Sequence, residues 1–211
     1  MIASMAKPFD PYDYIIRLEA RIVGIEPAIN RTLELPRSLN FAQLHEVLQA
    51  AFGWTDSHLH QFIVGGLAVG APEMIEDSFD GPRVIEATEI SLKDLIFPHI
   101  AEPSLDITYQ YDFGDDWNHS FILRPSQSQE GTHYPRCIGG SRACPPEDVG
   151  GYGGYADFLE AWLDPHHEEH KANRRWARRK FDPERFDLEA TNKAITRTIR
   201  LCKGNYRFRS V

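Results

Sequence analysis

The stretch Leu105-Asp-Ile-Thr-Tyr-Gln-Tyr-Asp-Phe-Gly-Asp-Asp-Trp-Asn-His-Ser-Phe-Ile-Leu123 decides the fold. Leu105, Ile107, Tyr109, Tyr111 and Phe113 alternate with other residues. Trp117, His119, Phe121 and Leu123 do the same on the return. A period of two marks a strand with one buried face, and Gly114-Asp115-Asp116 between the runs is turn chemistry. The two apolar sets meet on one side only if paired positions sum to an even number. A three-residue loop satisfies this by pairing Phe113 with Trp117, Tyr111 with His119 and Tyr109 with Phe121. The expected element is an antiparallel hairpin with Asp112 in the strand, opposite Asn118.

Working outward, Tyr14 to Ile22 alternates in the same way, with Arg17, Glu19 and Arg21 on the outer face. Ile29 to Leu35 alternates again, with Arg31 as an exception among the inward positions, so a second hairpin is expected. Phe41, Leu44, Leu48, Ala51 and Phe52 recur at helical spacing. Asn40 and Gln43 form a capping box, and Gly53 stands at the C′ position. His58 to Val64 reads as a strand. Residues 67–87 read as a variable loop, and Ser91 as the cap of a short helix from Leu92 to Phe97. Thr132 to Tyr155 is rich in Gly, Pro and Cys and shows no period, and Ala156 to Leu163 and Asp187 to Arg200 read as helices. The order implies an α+β fold, a mostly antiparallel mixed sheet curling around one main helix in a β-grasp-like way, with a helical C-terminal extension. The expected division is 12–165 for the α+β domain and 166–211 for the basic extension.

Charge is unevenly spread. Residues 171–211 hold thirteen Lys/Arg against four Asp/Glu, a net of +9, whereas residues 1–170 carry −17, giving −8 for the 211-residue chain. That balance argues against a whole-surface nucleic-acid binder. Lys171, Arg174, Arg175 and Arg178 share one face if helical, a candidate phosphate-binding face or a docking face for the acidic body. No run is long and apolar enough to span a bilayer, and Met1 to Asp10 lacks the layout of a secretory leader. Three cysteines, Cys137, Cys144 and Cys202, fit a reducing, cytoplasmic setting.

Several groups carry chemistry. His58 and His60, two apart on a strand, point to one face and suit a metal. Asp112, Asp115, Asp116 and His119 surround one hairpin, where carboxylates and an imidazole serve a divalent ion, zinc or manganese, or acid–base work. The metal set is therefore His58, His60, Asp112 and His119, and the catalytic set Asp112, His119 and Glu147. Trp54, Tyr111, Asp115, Trp117, Asp148 and Tyr155 make a candidate binding surface. Each group also has a plain structural reading: core histidines, turn residues, packed aromatics. His166 and His170 have ligand spacing on a helix but read as a solvated run. No nucleophile stands beside an evident base.

Three stretches carry a resemblance: Trp54 with His58-Leu-His-Gln-Phe62; Tyr111-Asp-Phe-Gly-Asp-Asp-Trp-Asn-His119; and Tyr134 to Asp148 with Gly150, Gly151, Gly154 and Tyr155. They resemble the ORF-3-like family named from a root-inducing (Ri) plasmid, some members of which are labelled transposon TnpR-like passenger proteins. The resemblance covers roughly residues 12–185 and implies an α+β domain often found on mobile elements, with no established activity. No serine-recombinase pattern accompanies it. Val149 stands where many relatives have a third cysteine, which weakens a thiolate site built on Cys137 and Cys144. The leading expectation is a binding or interaction module with an unidentified protein or nucleic acid as partner and no membrane. The others are a metal-dependent hydrolase or nuclease and a purely structural protein.

Overall fold

The computed structural model describes residues 13–71, 84–96, 107–177 and 181–202. Eight strands form one mixed sheet: β1 Tyr14–Ile22, β2 Asn30–Pro36, β3 His60–Val64, β4 Leu67–Gly70, β5 Val84–Glu86, β6 Ile107–Tyr111, β7 Trp117–Gln127 and β8 Arg136–Ser141. Their order is β5-β4-β3-β6-β7-β1-β2-β8. Neighbours are antiparallel except β4 and β5. The described helices are α1 Phe41–Phe52, α2 Gly151–Leu163, α3 His170–Trp176 and α4 Leu188–Cys202. The fold class is α+β, as the pattern implies.

β1 and α1 follow their sequence patterns closely. Tyr14, Ile16, Leu18, Ala20 and Ile22 are buried while Arg17 and Arg21 are exposed. Asn40 and Gln43 close the capping box on α1, and Gly53 ends it at φ 92°. That left-handed conformation is one glycine adopts without a Cβ penalty. α1 lies on the inner face of the sheet, with Phe41 against Phe62 and Phe52 against His119. Burying side chains of this kind contributes about 1.5–3 kcal/mol each.

The central hairpin keeps the expected parity but slides by one pair. Tyr111 pairs with Trp117, Tyr109 with His119 and Gln110 with Asn118. Tyr111 and His119 share a face. The turn spans five residues, not three. Phe113 is exposed, and Asp112 sits in the turn at φ 58°. The reason is local: Asp112 Oδ1 accepts the N–H groups of Gly114 (2.9 Å) and Asp115 (3.3 Å). Asp tolerates the left-handed region because its side chain bonds nearby backbone in this way. Leu105 lies outside the described residues.

Three strands were not legible in the sequence. β4 and β5 replace part of the expected loop at 67–87. β8 runs through Cys137-Ile-Gly-Gly-Ser141, where two glycines erase strand propensity. Gly140 answers to Arg31 on β2, with which it pairs. A Cβ on Gly140 would stand 2.8 Å from Asn30 O, 2.9 Å from the Phe186 ring and 3.0 Å from Arg31 Cδ. Arg31 is 3% exposed. Its guanidinium donates to Ala51 O (2.8 Å), Asn30 O (2.6 Å), Ser141 O (2.8 Å) and Arg142 O (3.0 Å), and it packs between Phe52 and Phe186. No carboxylate pairs with it among the described residues. Carbonyls at the end of α1 and along β8 take that place, consistent with the negative end of a helix dipole.

Ser91 and Asp94 do form a capping box, on a single 3-10 turn from Leu92 to Asp94, with Phe97 outside the described residues. α4 packs on α1 and β8. Asn192 on α4 accepts the Cys137 N–H (2.8 Å) and donates to Cys137 O (2.9 Å). All three cysteines are free.

Candidate functional site

One end of the sheet gathers the loop before β3, the β6–β7 turn and the segment leading into α2. His58 does not extend β3. It lies in a bend before His60 and leaves the sheet, so the two histidines do not share a site. His58 Nε2 is 3.5 Å from Asp112 Oδ2 and 3.0 Å from Asp148 Oδ1. One ligand atom from each residue lies within 4.8 Å of the other two. Asp148, at φ 58°, is mostly exposed and Asp112 mostly buried. Asp148 is the member that spacing alone left out of the metal set.

The wall of this rim is hydrogen-bonded shut. Ser57 N–H donates to the Tyr111 hydroxyl (2.9 Å), which donates to Glu147 Oε1 (3.1 Å). Glu147 also accepts from Thr55 N–H (2.6 Å), and the Trp54 indole donates to Pro145 O (3.1 Å). Burial, reinforced by the Glu147 carboxylate, pushes the Tyr111 phenol far up, so it stays protonated. Gly150 N–H donates to Asp115 Oδ2 (3.1 Å), fastening the start of α2 to the hairpin tip. Gly151 packs so closely there that a Cβ would lie 2.5 Å from Asp115 O. Glu147 therefore fastens the wall through the hydrogen bonds it accepts.

Four of the expected surface residues are core. Trp54, Tyr111, Trp117 and Tyr155 are each buried, because the sheet and the segment between β8 and α2 close over them. Only Asp115 and Asp148 of that set remain accessible. His60 stacks on His45 of α1 and lies with Asp56 in a separate interior group. His45 was not singled out from the sequence, although its place four residues after Phe41 puts it on the inner face of α1.

His119 does not join either group. The one-pair slide moves it from beside Tyr111 at the rim to beside Tyr109 deeper in the sheet. Its Nδ1 donates to Tyr109 O and Trp117 O, both at 3.2 Å, and its ring packs on Phe52 and Trp54. Burial lowers its pKa to about 4, so the ring is neutral at pH 7. Because the folded value lies below the ordinary 6.5, the unfolded chain binds the proton first. Stability is then full above pH 6.5 and falls as pH drops toward 4. A shift of this size amounts to about 2 kcal/mol lost between pH 7 and 4.5. Urea unfolding of His119→Gln at both pH values is expected to show that pH dependence reduced by a similar amount. An unchanged dependence would place the titration elsewhere.

α3 begins at His170, so His166 precedes it, and His170 Nδ1 donates to Ala161 O at 2.8 Å. Arg174 stacks on the Trp162 ring with its guanidinium carbon 4.3 Å from the centroid. Lys171 and Arg175 are exposed. Arg178 lies outside the described residues. Burial raises the thiol pKa of Cys137 and of Cys144, well up for the latter, which disfavours the thiolate form that a metal would need. No described helix is long and apolar enough to cross a membrane.

Residues 14–190 match the family described as plasmid pRiA4b ORF-3-like protein. A curated relative, the uncharacterized protein y4hQ of Sinorhizobium fredii, is 37% identical over 182 residues, which is 86% of this chain and 90% of the relative. Among solved structures, the crystal structure of MM3350, a protein of unknown function from Methanosarcina mazei Go1, superposes with a TM-score of 0.72. It is 33% identical in sequence, and the match covers 84% of this chain and 96% of that one.

Proposed function

We infer, for a chain that belongs to the plasmid pRiA4b ORF-3-like protein family, that it works as a plasmid-associated binding module whose ligand site is the His58–Asp112–Asp148 rim loaded with a divalent cation. The observation that carries this reading is His58 Nε2. It is shielded from solvent and close to two carboxylates, yet makes no hydrogen bond to either. Donor atoms that close on one region without bonding one another suit an ion among them. One imidazole and two carboxylates are a donor set for manganese or zinc.

Three protein ligands leave about three positions of a six-coordinate ion open. Those positions would take a carboxylate or phosphate oxygen of a protein or nucleic-acid partner, which the bare acidic rim would repel. Lys171 and Arg175 are the exposed cations on α3 for a phosphate-bearing partner. A hydrolase is the weaker reading. Glu147 is spent on the wall, His119 is sealed in the core, and Ser57 Oγ is bonded to Thr55 Oγ1 at 2.7 Å.

Asp148 is 69% exposed in its side chain, so Asp148→Ala removes no core packing and strains only the backbone at φ 58°. Manganese binding to tag-free protein, followed by the loss of the free-ion electron paramagnetic resonance signal, is expected to weaken about tenfold or more in this variant, the scale of losing a ligand-shell group. Equal binding in variant and wild type would remove the rim as the ion's place.

A further inference from the structure

Next to the rim, α2 and α3 leave a cleft of about 250 Å³ between them, with Asp148 among its lining residues. Asp157 and Phe158 line it from α2, and Glu169, Asn173 and Trp176 from the α3 side. The last three stand at i, i+4 and i+7, so one helical face presents them together. Phe158 is buried, and Trp176 meets it edge-on with ring centroids 5.8 Å apart. Trp176 itself remains 48% exposed. We propose that this cleft receives one arginine side chain of a partner protein.

Charge makes the first argument. Three carboxylates, those of Asp148, Asp157 and Glu169, line the cleft, and no described Lys or Arg does. Asp157 and Glu169 are exposed, and neither pairs with a cation among the described residues. At 3.6 residues per turn, the exposed cations Lys171 and Arg175 lie ~160° from Asn173 around α3, on its far face. A nucleic acid would bring phosphates against the three carboxylates, so the cleft selects a basic protein surface.

Shape and ring chemistry make the second. Pockets for drug-sized molecules hold about 300–1,000 Å³, so this smaller one suits a single side chain. A guanidinium is planar, stacks on aromatic faces and offers five N–H donors to carboxylates. The fold already contains one such stack, Arg174 over the Trp162 ring at 4.3 Å. No described cation covers Trp176 in the same way. Its ring and the carboxylates beside it supply both halves of an arginine site, and Asn173 adds an amide oxygen as acceptor. The cleft adjoins the rim through Asp148, but its chemistry needs no ion there.

The probe is the blocked tripeptide acetyl-Gly-Arg-Gly-amide, titrated at low ionic strength and without metal into the nitrogen-15-labelled full chain. Trp54, Trp117 and Trp162 are buried, so the Trp176 indole N–H is the reporter. Its resonance is expected to shift and saturate with the arginine peptide. It is expected to stay in place with the citrulline analogue, which keeps the shape and lacks the charge. Asp157→Asn/Glu169→Gln alters only exposed side chains and is expected to bind about tenfold more weakly, the scale of two exposed ion pairs. Trp176→Leu, followed at the Asn173 side-chain amide, is expected to lose about two- to fivefold. An unmoved Trp176 resonance in wild type would overturn the proposal. An equal response to citrulline, or unchanged affinity in the carboxylate variant, would do the same. Binding that appears only in Arg178→Ala/Arg179→Ala/Lys180→Ala would give the cleft to the chain's own basic stretch and exclude a partner's arginine. The rim reading is judged apart from this, by manganese binding to Asp148→Ala without peptide, so either can fail while the other stands.

Discussion

Arg31→Met is expected to lower the melting temperature by about 10 °C. The substitution keeps most of the stem and removes the guanidinium, so Ala51 O, Asn30 O, Ser141 O and Arg142 O lose their donor together. A buried polar group left unsatisfied costs about 1–3 kcal/mol. If only two of the four stay dry, the loss is about 4 kcal/mol, and a chain of this length shifts by roughly 2–4 °C per kcal/mol. Arg31→Lys is expected to recover only part of this, because an ammonium cannot present the planar fork that reaches carbonyls on α1, β2 and β8 at once. A thermal melt followed by circular dichroism at pH 7 decides the matter. Equal melting of wild type and Arg31→Met would show that the four carbonyls are satisfied by water.

The second large effect is expected at the start of α2. Gly151 adopts φ +67°, and an added Cβ would lie 2.5 Å from the backbone oxygen of Asp115. Neither backbone can yield cheaply, so Gly151→Ala must push α2 away from the hairpin tip. The expected loss is about 3 kcal/mol, combining the strained φ with overpacking. The Gly150–Asp115 hydrogen bond breaks with it, and Asp148, two residues upstream of Gly150, loses its place beside His58. Manganese affinity should therefore fall along with stability. Gly153 is the control. Nothing lies within 4 Å of where its Cβ would stand, and it sits within α2. Gly153→Ala is expected to be neutral or to stabilise by up to about 1 kcal/mol through helix propensity. Similar urea midpoints for the two alanine variants would contradict the close packing at Gly151.

The contrast between these glycines also explains what the sequence can and cannot reveal. α1 was legible because Asn40, Gln43 and Gly53 act within one turn of the residues they cap. Strand parity in the β6–β7 hairpin was legible because one face is buried. The pair that closes the hairpin was not, since three aspartates suit a short or a long turn equally and only Asp112's bonds to Gly114 and Asp115 choose. β8 stayed hidden because Gly140 answers to Arg31 and Phe186, far away in sequence, and Gly139 beside it further lowers strand propensity. Trp54, Tyr111, Trp117 and Tyr155 look alike as a recognition surface or as core, and burial alone separates the two. Of the rim, His58 and Asp112 stood out by residue type. Their meeting with Asp148 depends on how the chain returns from β8 to α2, which no local pattern encodes.

The amide of Asn192 has a consequence for how copies of the chain behave toward one another. β8 is the last strand on its side of the sheet, and a strand in that position offers unpaired N–H and C=O groups to any extended segment that arrives. At Cys137 both groups are already taken by one side chain from α4, which imitates a ninth strand at a single rung. The opposite margin, β5, has three residues among those described. Both margins are therefore poor templates for strand addition. Undocking α4 would release the Cys137 N–H and C=O and open that rung to an incoming strand.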